Sequence, residues 1–192
     1  MSNSPTNEEV IAATQTWLER AVIGLNLCPF AKAVHVKKQI RYVVSDATTP
    51  EELLEELMSE LEVLAEAPSE EIDTTLLIHP HVLTDFLDYN DFLGVVDEAI
   101  EDLELDGILQ VASMHPQYQF ADTQPEDIEN YTNRSPYPML HLLREASIVK
   151  AVAAFPEAEQ IFDQNIERLR SLGHAGWNEL GLLNQAPLPD KE

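Results

Sequence analysis

The sequence predicts an α/β fold: a small parallel or mixed sheet of three to four strands, covered by amphipathic helices, with extra helices at both ends. Two observations predict it. Short apolar runs bounded by turn residues recur along the chain, at 40–44, 74–78 and 108–114. Between them lie long segments with apolar residues at helical spacing. That alternation favours strands feeding crossover helices, which right-handed connections carry to one face of a sheet.

The elements follow in order. Thr6 and Glu9 fit a capping box, and Val10, Thr14, Trp17, Leu18, Ala21 and Leu25 continue the period to a stop near Gly24. Leu27-Cys28-Pro29-Phe30 restarts the chain, with Pro29 suited to a first helical position. Ile40, Tyr42 and Val44 alternate with Arg41, Val43 and Ser45, a strand ending near Asp46. Thr49-Pro50-Glu51-Glu52 supplies an N-cap, a proline at N1 and a capping-box glutamate. The stripe Leu53, Leu54, Leu57, Leu61, Leu64 makes the second helix, and Pro68 lies beyond its end. A third helix follows from Phe86 to Leu103 and is broken by Gly107. Residues 117–138 read as a long polar loop, and loops of that length in a compact domain are often functional. Residues 139–154 read as helical, with Pro138 opening the helix. Pro156 opens a last helix that ends at Gly173. An extra edge strand would come from 34–38 or 118–120. The expected organisation is one α/β domain over 1–185 with a flexible tail at 186–192.

Composition bounds the function. A net charge of -24, from 35 acidic and 11 basic residues, argues against nucleic acid and against anionic membranes as partners. No apolar run is long enough to span a bilayer, the N-terminus lacks the pattern of a signal peptide, and Cys28 is the one cysteine. These features together point to the cytoplasm. Solubility through self-repulsion accounts for the acidic excess.

The candidate chemistry centres on histidine. His79-Pro80 and His115-Pro116 both follow apolar strands, and ligands of open α/β sheets bind outside the carboxyl ends of strands. On adjacent parallel strands, about 4.8 Å apart, the two imidazoles would share one ligand. The competing reading is that both simply bond loop carbonyls. Asn133-Arg134-Ser135-Pro136-Tyr137-Pro138 precedes His141, Arg144 and Glu145, which would share one helix face behind an N-terminus that favours anions. Arg134 and Arg144 would clamp a carboxylate or phosphate, with Tyr118 and Asn133 beside them; capping and an exposed ion pair are the plainer alternative. Cys28, near Lys32 and His35, is either a thiol of lowered pKa or a small buried hydrophobe beside Leu27 and Phe30. A divalent metal would need His79 and His115 with a third ligand from His81, Asp122, His141 or Glu145, and no HExxH or CxxC spacing supports one. No Walker loop, GxGxxG or GxSxG is present, so no nucleotide-cofactor motif is visible.

Three runs resemble a known family: Leu25-Asn26-Leu27-Cys28-Pro29-Phe30-Ala31; His115-Pro116-Gln117-Tyr118-Gln119-Phe120-Ala121-Asp122; and Asn133 through Arg144. They are similar to the proteins grouped as domain of unknown function 1415, over most of the chain. The resemblance implies one small bacterial-type domain and no activity, substrate or catalytic residue. On the residues themselves, the expectation is an enzyme acting on a small anionic molecule by hydrolysis or group transfer. His79, His115, His141 and Cys28 would serve the chemistry. The alternatives are an acidic binding or regulatory module, and a metal-binding protein.

Overall fold

The structure, a computed structural model, describes residues 4–155 and 157–183. The expected start of the last helix at Pro156 and the expected tail at 186–192 lie outside the described residues.

The chain opens with α1, Asn7–Trp17, closed at its N-terminus by the reciprocal Thr6–Glu9 box. It passes without a break into a π-helical turn, Leu18–Ile23. Gly24 ends that wide turn because a Cβ there would stand 2.3 Å from the Arg20 carbonyl oxygen. Asn26 then takes a left-handed φ of 51° and turns the chain toward Cys28 and the short helix α2, Ala31–Val36. Pro29 therefore lies just before α2, not at its first position.

Strand β1, Ile40–Val44, leads to α3, Pro50–Glu66, which carries the Thr49–Glu52 capping box and Pro50 in its first turn. Strand β2, Thr74–Ile78, is buried along its whole length. Helix α4, Phe86–Asp102, is capped by Asp85, and β3, Leu109–Met114, follows. The segment 117–138 holds one 3-10 turn, Ile128–Asn133. Residues 139–144 depart from the expected helix. They form strand β4, Met139–Arg144, and only then does α5, Glu145–Ala154, begin. Helix α6, Ile161–Glu179, is really two helices across a break at Gly173, where φ is 65°.

The sheet order is β1-β2-β4-β3. β1 and β2 are parallel, while β4 runs antiparallel to both β2 and β3. The fourth strand is thus central, not an edge strand, and it comes from neither of the expected segments. Val34 lies in α2 and 118–120 is loop.

Two cores sandwich the sheet. Leu77, Leu140 and Leu142 pack with Leu53, Leu57, Tyr89 and Val96, so α3 and α4 share one face, as the crossovers require. Leu76, Ile78 and Met139 pack with Val10, Trp17, Leu169 and Trp177, so α1 and α6 cover the other. Among the described residues, no helix is long and apolar enough to cross a membrane.

The π turn supplies a sharp test. Gly24→Ala should cost about 2 kcal/mol or more, because the added methyl meets backbone that has no rotamer to escape into. Urea denaturation checks it. An unchanged midpoint would show that the turn relaxes freely.

Candidate functional site

Strand alternation decides which histidines can meet. His79 follows Ile78, and His115 follows Met114, so both rings emerge on the α3–α4 face. Both are fully buried. They are not on adjacent strands, because β4 lies between β2 and β3. They meet instead across Tyr89 of α4, whose ring centroid is 5.8 Å from His79 and 5.0 Å from His115. The Tyr89 hydroxyl donates to the Met139 carbonyl at 2.8 Å and accepts the Met114 N–H at 3.0 Å, stapling the ends of β4 and β3.

The bonds of each ring fix its state. His115 Nδ1 accepts the Gln117 N–H at 3.0 Å, so its Nε2 carries the proton toward the Leu83 carbonyl at 3.2 Å. His79 Nδ1 sits 2.9 Å from the Val82 carbonyl, so its Nε2 bears a lone pair, buried and without a partner in the described structure. Burial pushes His79 down to about 4 and His115 below the ordinary imidazole value. Both are neutral at pH 7.

His141 lies elsewhere. It sits in mid-β4, on the face of Met139, and opposes Leu76 on β2 and Ala112 on β3. With Tyr42 opposite Leu76, the row Tyr42–Leu76–His141–Ala112 crosses the sheet on the α1–α6 side. Protein packed around His141 drives its pKa to about 4, yet the side chain keeps solvent contact. Ala112, Met114 and Leu143 are likewise only partly covered, whereas Leu140 and Leu142 on the opposite face are fully buried. His141 therefore lies on a partly covered strip of β4 and β3. No hydrogen bond to it is found among the described residues.

The other expected residues divide between scaffold and the His141 face. Arg134 is buried; its Nε donates to the Tyr118 carbonyl at 3.1 Å and its Nη2 to the Pro125 carbonyl at 2.5 Å, while its Cζ stands 4.3 Å over the Tyr131 ring. It ties the long loop together. Asn133 donates from Nδ2 to the Ser113 carbonyl at 3.1 Å, and the Tyr118 hydroxyl accepts from Ser113 at 3.4 Å. Arg144 is at the far end of β4, bonded to the Ala67 and Ile72 carbonyls. Five strand steps, about 17 Å, separate it from Met139, so the two arginines do not converge on one anion. With 139–144 a strand, His141 and Arg144 do not share a helix face, and Pro138 opens no helix. His81 and Asp122 are exposed, and among the described residues no group of three or more His, Cys, Asp or Glu could hold a metal ion.

Cys28 and Tyr42 flank the α1–α6 core. Burial raises the Cys28 thiol although the Phe30 and Ala31 N–H groups point at it, so it stays protonated at neutral pH. Tyr42, pushed up to about 12 by burial and the Glu19 charge, has a buried hydroxyl with no partner in the described structure. His35 reaches Glu19 at 3.3 Å. Sequence reasoning missed Tyr89 and Tyr42; nothing in their local pattern distinguishes them from core aromatics.

Basic residues are unevenly spread along the chain. No lysine or arginine occurs between Arg41 and Arg134, so α3 and α4 are acidic throughout. The stretch 27–40 holds Lys32, Lys37, Lys38 and His35 and no acidic residue. A shallow open depression of about 630 Å³, lined by Leu25, Gln164, Glu167, Arg168, Ser171 and Leu172, also lies on α6.

The profile of a family described as protein of unknown function (DUF1415) matches residues 9–179. No curated protein and no solved structure matches the chain.

The depressed imidazoles set a pH window. In the unfolded chain they titrate near 6.5, so it binds more protons than the fold below that value. Stability is complete above about pH 6.5 and is lost as pH falls toward 4, by about 3 kcal/mol for His79 alone. The lowered carboxylates Glu9, Glu52 and Glu129, ordinarily near 4.5, add their own loss only at the acid end of that window. Urea titrations at about pH 7 and about pH 5 should show the loss, and His79→Phe should shrink it, leaving the share of His115 and His141. Equal stability at both pH values would contradict buried neutral imidazoles.

Proposed function

The chain belongs to the DUF1415 family, and from that premise we propose that it is an enzyme acting on a small anionic molecule bound in a crevice over His141. The observation that carries the reading is His141 itself: an imidazole in the middle of a central strand, desolvated, unpaired, and still reachable by solvent. A buried structural histidine is expected to be sealed and bonded, as His115 is.

The chemistry follows from its charge state. At neutral pH the imidazole presents a lone pair and accepts a proton. An anion bound beside it would favour the imidazolium and raise its pKa toward the working range, which suits acid–base assistance of hydrolysis or group transfer. The acid-free segment 27–40 offers the approach for an anion, and α3 and α4 repel it from the opposite face. The Cys28 thiol and the unpaired Tyr42 hydroxyl are further polar groups on the same side of the sheet. Arg134 and Arg144 hold the scaffold, since their bonds go to backbone carbonyls.

A second reading has its own support. The unbroken acidity of α3 and α4 suits docking of a basic partner protein, which would make the chain a binding module.

Calorimetry with inorganic phosphate and short dicarboxylates tests the first. Binding should take up protons near pH 5–6, and His141→Gln should weaken it about ten-fold while leaving Tm within a few degrees. Equal affinity in wild type and variant would sink the crevice reading. Replacing Lys32, Lys37 and Lys38 by Gln should slow association and reduce its salt dependence.

A further inference from the structure

Two strands that do not touch each other grip one turn. His79, leaving β2, holds the Val82 carbonyl, and His115, leaving β3, holds the next carbonyl, that of Leu83. Between them Leu83 takes a φ of 54°, a left-handed conformation that a leucine rarely adopts. Val82 is the buried anchor of residues 80–85, while His81, Thr84 and Asp85 face solvent. Beneath the turn lie the rings of Tyr89 and Phe86, the latter 5.5 Å from His115 and 5.2 Å from Tyr118.

The forces on this turn are closely opposed. Two hydrogen bonds and the burial of Val82 hold it down. Strain at Leu83 and the unsatisfied Nε2 of His79, which water would satisfy, favour lifting it. Pro80 at one end and Asp85, the N-cap of α4, at the other bound the turn. We propose that residues 81–84 are a hinged cover over a second polar site, where His79 Nε2 meets a proton-donating or electrophilic ligand once the cover lifts. The site is separate from the crevice, on the other face of the sheet, and does not depend on it.

The His79 lone pair can be probed directly. Wild-type protein is treated with diethyl pyrocarbonate, and each histidine is followed by mass spectrometry alongside hydrogen exchange of the β2 and β4 amides. His79 should react through openings far more frequent than those that expose the core amides, with a rate nearly flat in low urea, since lifting a turn exposes little surface. His115→Phe, which removes the Leu83 bond and keeps a ring on Tyr89, should speed the reaction about five-fold or more. If that variant does not fold, Val82→Ala should act in the same direction. A His79 that reacts only in step with core exchange, with the steep urea dependence of global unfolding, overturns the proposal.

Discussion

Strand β4 is the constraint on which the rest depends. It runs antiparallel through the middle of the sheet, bonded to β2 on one side and β3 on the other. Its position pushes His79 and His115 two strands apart, and α4 fills the gap with Tyr89, whose hydroxyl bonds both β3 and β4. Its alternation then sends Leu140 and Leu142 into one core and Met139 and His141 toward the other. A single insertion thereby separates the histidines into a sealed pair on one face and a partly covered imidazole on the other.

Burial treats the two groups differently. The sealed histidines are neutral because the fold bonds them as neutral rings: each has one nitrogen on a loop carbonyl, and His115 has both engaged. His141 is neutral because it is desolvated and nothing answers its charge. Charge partition reinforces the division. Helices α3 and α4, without lysine or arginine, clothe the face over the sealed cluster, while lysines gather on the segment before β1.

Much of this was legible in the sequence, and the failures have physical causes. The capping boxes of α1 and α3 and the stripes of α3 and α4 mark those helices because capping and amphipathic periodicity are local properties. Strand β4 was not legible as a strand. Its leucines favour helix, and its apolar residues point to both faces, so no period-two alternation marks a strand buried on both sides. Pro136 and Pro138 were the available signal, since the residue before a proline is held extended. Misreading β4 as a helix placed His141 and Arg144 on one face and suggested an anion site at its start. The repeated His-Pro pattern located two strand ends correctly, but whether they lay side by side depended on a strand drawn from more than twenty residues further on.

The central claim is that one imidazole is open to solvent while two others of equal neutrality are sealed. Site-resolved NMR of the histidine rings with a soluble paramagnetic agent measures this directly. The account predicts strong broadening of His141 at neutral pH and little effect on His79 and His115. Equal broadening of all three, or a protected His141, would contradict it.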